Sequence, residues 1–172
     1  ENNVSRKVFK KGAFVLLPSR LYPGRIWCGT GSGLVALKQG SNRWVKPEKE
    51  LSFENINQEI RSIAEDRNGY LWLATSTGNF LKVDFKTRTK QPLVTHCDVS
   101  NNLNKGEVHV TRLSDHVIFA TEMGVFRFNE SKKIFIPDLT LGSRFAGGQG
   151  SKPVFRIAQD RDTNGFSIGE LR

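Results

Sequence analysis

The chain is expected to be all-β, a β-propeller segment of about three and a half four-stranded antiparallel blades, and three observations lead there. Trp27, Thr30 and Gly33 stand in a frame that returns 45 residues later as Trp72, Thr75 and Gly78. The frame returns a second time, after 46 residues, as Ile118, Thr121 and Gly124. Short apolar or alternating runs bounded by turn residues fill each interval, and a period of roughly 40 to 50 residues with strands inside it marks a propeller blade rather than a helical solenoid. The repeats are placed at about 14–59, 60–107, 108–153 and, incomplete, 154–172.

In the first repeat, Phe14 to Leu17 is the expected first strand and Pro23-Gly24 a turn. Arg25 to Thr30, the Gly31-Ser32-Gly33 turn and Leu34 to Leu37 follow. The second repeat is the clearest. Ile60 to Glu65 reads as a strand, and Asp66-Arg67-Asn68-Gly69 as a turn, because Asn and Gly tolerate positive φ. Tyr70 to Thr75 is a nearly continuous apolar run, as expected of a strand covered on both faces. After Ser76-Thr77-Gly78, the run Asn79 to Phe85 alternates, with Leu81, Val83 and Phe85 on one face. Lys86 to Arg88 turns the chain, and Gln91 to Thr95 is a short outer strand. The third repeat offers Val108 to Leu113, Val117 to Thr121, Val125 to Asn129 and Ile134 to Ile136. The glycine-rich span Gly142 to Gly150 reads as a long, mobile connector. A fourth unit begins at Val154, turns at Asn164-Gly165 and continues with Phe166 to Gly169. Propellers close with four to eight blades, so three and a half would leave apolar faces and strand edges for the remaining blades or a second copy of the chain to cover.

Composition narrows the function. At 172 residues, 37% hydrophobic and 10% aromatic, the chain has the length of one folded domain. The longest obvious apolar stretch, Ala13 to Leu17, is far short of the roughly 18 residues that span a bilayer. Any membrane attachment is expected to lie in segments outside this chain. The net charge of +9 is uneven, since residues 1–50 carry ten Lys or Arg against three Asp or Glu. These cations are dispersed among strands and turns without a nucleic-acid motif, so a solvated face is expected and nucleic acid is not an expected partner. Cys28 and Cys97 lie 69 residues apart without metal-ligand spacing. Cys28 follows Trp27 in a strand and is most simply a buried thiol. An oxidising compartment would permit a disulfide between the two, although strand geometry seldom brings such positions within range.

The segment Ile60-Arg-Ser-Ile-Ala-Glu-Asp-Arg-Asn-Gly-Tyr-Leu-Trp-Leu-Ala-Thr-Ser-Thr-Gly78 resembles the two-component regulator propeller repeat, which runs apolar-x-x-Ile-x-Glu-Asp, then Gly-x-Leu-Trp-Ile-Gly-Thr, then Gly-Leu. Arg25-Ile-Trp-Cys-Gly-Thr-Gly-Ser-Gly-Leu34 is similar to the latter half of that unit. The first repeat departs from the pattern by lacking Glu-Asp, and the third by carrying Ile118 in place of Trp. The resemblance implies a bacterial sensor, in which periplasmic propellers precede a β-sandwich domain, a membrane span and a cytoplasmic output module such as a histidine kinase or a diguanylate cyclase. It also implies a stimulus received by the propeller, frequently an oligosaccharide.

The recurring frame residues, Trp27, Thr30, Gly33, Asp66, Gly69, Trp72, Thr75, Gly78, Thr121 and Gly124, are assigned to architecture, because a feature repeated in every blade suits construction better than recognition. Gly29 to Gly33 lacks the following helix of a phosphate-binding loop, and Pro153 rules out the same reading of Gly147 to Lys152. His96, His109 and His116 have no metal-ligand spacing, and no Gly-x-Ser-x-Gly elbow is present. No metal, cofactor or catalytic residue is assigned. Asp66-x-x-Gly69-x-x-Trp72 is near the Asp-box of sialidases, but one residue longer between Asp and Gly, and only Tyr22 and Tyr70 are available as tyrosines. Ligand recognition in a propeller favours the loops at the mouth of the ring. Arg61, His109 and Arg156, near the starts of first strands, are the candidate ligand contacts, for a saccharide or another small molecule, and each reads equally as a solvated strand residue. A protein-interaction scaffold and a propeller lyase or glycosidase are the competing functions.

Overall fold

The computed structural model describes residues 12–40, 44–45, 51, 53–86, 91–97, 106–159 and 166–169. Described residues form strands and turns, with no helix among them. The first blade is a sheet in the order β1 (Ala13–Pro18), β2 (Arg25–Thr30), β3 (Gly33–Gln39), β4 (Trp44–Val45). The second has β5 (Ile60–Glu65), β6 (Leu71–Thr75), β7 (Phe80–Asp84) and β8 (Leu93–Cys97) in sequence order. The third repeats the order with β9 (His109–Leu113), β10 (His116–Thr121), β11 (Gly124–Asn129) and β12 (Ile134–Pro137). A two-stranded unit, β13 (Arg156–Gln159) with β14 (Phe166–Gly169), stands where a fourth blade belongs. Every pairing within these sheets is antiparallel. The architecture is a partial β-propeller. The turn expected at Asn164-Gly165 lies outside the described residues, as does most of Lys86 to Arg88.

Register explains why the frame recurs. Trp27 sits opposite Leu17, Trp72 opposite Ala64 and Ile118 opposite Thr111, so the three frame residues hold the same place on the second strand of their blades. Each faces the next blade. Trp27 packs with Ile60, Leu73 and Leu81 of the second blade and stacks on Phe85 at 4.9 Å. Trp72 meets Phe119 and Phe128 of the third at 4.9 and 5.0 Å. Ile118 joins Phe145, Val154 and Ile157 at the start of the fourth unit. The core is therefore three apolar layers between blades, and a blade buries its apolar side chains against its neighbours. Backward-facing positions show the converse. Ile63 and Val110 are 5% and 1% exposed, whereas their counterpart Leu16, on the first blade, is 58% exposed.

The frame glycines make the blade-to-blade connections. Gly33, Gly78 and Gly124 have φ of 123°, 79° and 97°, in the region that L side chains rarely adopt. Above each passes the chain on its way to the next blade. A Cβ on Gly33 would overlap the Ile56 carbonyl, and one on Gly78 would lie 2.7 Å from the Gly106 carbonyl oxygen. A Cβ on Gly124 would lie 2.5 Å from that of Phe145.

Residues 142–150 are not the loose connector their glycines suggest. Phe145 is buried, Ala146 forms a parallel bridge to Val125, and the amides of Gly147 and Gly148 donate to the carbonyls of Val125 and Met123 at 2.8 and 3.0 Å. Gly147 is needed for contact, since a Cβ there would run into the Phe126 ring. The glycines serve close approach to β11, and the segment seals the layer between the third blade and the fourth unit.

Candidate functional site

The first strands β1, β5, β9 and β13 lie side by side across the blades. A groove of about 1000 Å³ runs over their starting ends, with Thr75 and Ser76 of the β6–β7 turn on the same side. Arg61, His109 and Arg156 all line it, one from each of three successive units. It is the region where the ring would enclose its channel.

Two of the strands carry a bulge at this point. The pairing of β1 with β2 shifts between Ala13 and Val15, and that of β5 with β6 between Ile60 and Ser62. The extra residues are Phe14 and Arg61, and a bulge residue leaves the ladder and re-aims its side chain. Both line the groove, with the Arg61 guanidinium 4.3 Å from the centre of the Phe14 ring. Arg61 also forms an ion pair with Glu59 through Nε, while its side chain keeps 53% exposure. Phe14 is half-exposed and was not legible as a site residue, since a bulge has no signature in a run such as Ala-Phe-Val-Leu-Leu.

On β9 there is no shift, and His109 occupies the place that Ser62 and Val15 hold in the earlier blades. Desolvation pushes its imidazole down to a pKa of about 4, helped by the positive charge of Arg156, while a hydrogen bond with the Ile157 backbone works the other way. His109 is thus neutral at physiological pH. Arg156 is exposed.

A second recess of about 390 Å³ lies at the far ends of β1, β5 and β9, lined by Arg20, Glu65, Thr111, Arg112 and Asp115 among others. Two of its charged groups, Glu65 and Arg112, are engaged within the fold. Glu65, 3% exposed, accepts hydrogen bonds from Ser19 Oγ at 2.7 Å and from the Arg20 amide at 2.6 Å, joining the second blade to the first. Arg112 donates through Nε to the Ser114 carbonyl at 2.9 Å and through a terminal nitrogen to the Glu65 carbonyl at 3.4 Å.

The frame residues line turns and blade interfaces. Thr30 and Thr121 donate through Oγ1 to the carbonyls of Gly33 and Gly124 at 2.9 and 3.0 Å, and Thr75 to that of Asn79 at 3.3 Å. Asp66 accepts from the amides of Asn68 and Tyr70 at 2.8 and 3.0 Å and from Trp72 Nε1 at 3.3 Å, and Gly69 closes that turn with φ of 85°. In the first blade Ser19 stands in place of Asp66 and the turn is two residues longer, since Pro18 pairs with Ile26 where Glu65 pairs with Leu71. Buried Trp27 Nε1 consequently has no hydrogen-bond partner among the described residues. Cys28 and Cys97 are buried and not joined in a disulfide, and desolvation raises Cys28 to about 11.

A repeat protein of the propeller class is what this geometry defines. The family model described as two component regulator propeller matches residues 56–77, from the segment that crosses Gly33 through β5 and β6 to the turn after it. The chain therefore carries a propeller repeat of the two-component regulator type. No curated protein and no solved structure gives a significant match.

Proposed function

We propose that this chain is the non-catalytic, ligand-recognising propeller segment of a periplasmic bacterial signal-transduction receptor, and that its ligand, a saccharide, occupies the groove over the starts of β1, β5, β9 and β13. One observation carries the reading. The residues that break the repeat, Phe14, Arg61, His109 and Arg156, converge on one groove of about 1000 Å³, while the residues that obey it are spent on turns and blade interfaces. Cavities of roughly this size accept small organic ligands, and an exposed aromatic ring beside guanidinium groups suits a sugar that bears polar substituents.

Calorimetric titration of the chain with a panel of neutral and acidic oligosaccharides tests it. Saturable binding that is lost in Arg61→Ala/Arg156→Ala, with the saccharide recovered unchanged, is expected. Turnover of a bound sugar would replace the sensor by a lyase or glycosidase. A second reading, a protein-interaction scaffold, draws on the exposed Phe14 and Leu16 of the first blade, which the remaining blades of a longer receptor or a second copy would cover. Light scattering across a dilution series tests that reading, which expects a dimer or a larger assembly.

A further inference from the structure

The groove holds its charged groups in unequal states. Arg61 is already paired with Glu59 and stacked on Phe14. Arg156 has no hydrogen bond or ion pair to an acceptor among the described residues, and its charge acts on His109. The neutral imidazole of His109 has one nitrogen that carries a proton and one that does not. Protonation would turn that second nitrogen into a donor, but the ring sits in a desolvated place beside a guanidinium. An anion beside the ring would offset both obstacles by its opposite charge.

We propose that the head of the groove is a proton-linked subsite for an anionic oxygen group, a carboxylate or a sulfate, with Arg156 as its anchor and His109 as a second donor recruited by proton uptake. The proposal deepens the ligand-recognition reading above and rests on it for the location of the site. Among the described residues, the charged groups that line the groove with His109 are Arg156 from β13, Arg61 from β5, which is paired with Glu59, and Glu107 before β9; the β6–β7 turn contributes Thr75 and Ser76. Of these, only Arg156 carries an uncommitted positive charge beside the ring. An anion bound to it replaces repulsion by attraction, and a nearby opposite charge raises an imidazole by about 1–3 units. Affinity for the anion must then increase as pH falls, since proton and anion binding are reciprocally linked.

The probes are inorganic sulfate and sodium glucuronate, with glucose as the neutral control. Titration of the three histidines by NMR, with His109 assigned from H109Q, should show the His109 midpoint rising by about one unit or more in sulfate or glucuronate and staying put in glucose. Glucuronate should bind about tenfold more tightly near pH 5 than near pH 7.5 for a midpoint raised by two units, from about 4 to about 6, and about twofold more tightly for a rise of one. R156Q should abolish the anion-induced shift, and H109Q should leave binding at pH 7.5 while removing its pH dependence. A His109 midpoint indifferent to both anions overturns the proposal, and so does a shift that survives in R156Q. The two readings fail separately. Saccharide binding in the groove without the His109 shift keeps the sensor and removes the subsite, whereas a sulfate shift with no oligosaccharide bound does the reverse.

Discussion

Glu65 clamps the turn after β1 to the second blade. Its carboxylate, 3% exposed, accepts the Ser19 hydroxyl at 2.7 Å and the Arg20 amide at 2.6 Å, and both donors belong to the turn after β1. Hydrogen bonds to a charged group contribute about 1.5–3 kcal/mol each. Glu65→Ala removes both and leaves a backbone amide and a hydroxyl at the blade interface, where partial hydration recovers some of the loss. A destabilisation of about 3 kcal/mol is expected. Glu65→Gln keeps an oxygen for the amide and offers an NH₂ group to the hydroxyl oxygen, so it should cost about 1 kcal/mol. Urea denaturation followed by tryptophan fluorescence measures both. A double-mutant cycle with Ser19→Ala isolates the pair, with a coupling of about 1–2 kcal/mol expected. Hydrogen exchange at the Arg20 amide supplies a local readout that should accelerate in Glu65→Ala. Glu65→Ala within about 0.5 kcal/mol of the native chain, the range of an unremarkable surface substitution, would refute the clamp.

Three further outcomes follow from the same geometry. His109 has its folded pKa depressed from 6.5 to about 4, so the unfolded chain binds more protons below 6.5, and the full stability present above that pH declines as pH falls toward 4. The displacement corresponds to about 3 kcal/mol, and acid-dependent unfolding measured on H109Q should lack that component. Gly33→Ala should cost about 3 kcal/mol in thermal or urea unfolding, because left-handed strain adds to collision with the Ile56 backbone; Gly148→Ala, also at positive φ but with open space around it, should cost about 1 kcal/mol. Cys28, buried and raised to about 11, should react with a thiol reagent at neutral pH only after denaturant is added, and a fast-reacting native thiol at that position would contradict its burial.

What could be read in the chain, and what could not, divides along the repeat. The blade order was legible because Trp27, Trp72 and Ile118 each face forward into the next apolar layer, and a contact made at every step leaves a period in the sequence. Arg61, His109 and Arg156 were found at the groove because the starting ends of first strands have a fixed place in a blade. Their partners were not. Glu65 bonds to a turn 45 residues earlier, and no local pattern announces that. The glycines of residues 142–150 looked like freedom of the backbone and serve instead to bring it against β11, since Gly signals a small residue without saying whether space or motion requires it.

The bulges at Phe14 and Arg61 connect these two halves. A regular ladder would have put residue 61 into alternation with its neighbours and toward a blade interface, where an arginine is costly. The shift between Ile60 and Ser62 releases Arg61 while Ile60 and Ile63 remain buried in the layer against the first blade. The matching shift between Ala13 and Val15 releases Phe14 to the same height, and the two meet ring to guanidinium. On β9, with no shift, the groove position is taken by His109, which burial and the charge of Arg156 hold neutral. The blades are thus alike in the layers that hold them together and unlike at the rim. That is how a protein built from one repeat presents different chemistry from each blade without weakening the interfaces that keep the blades in register.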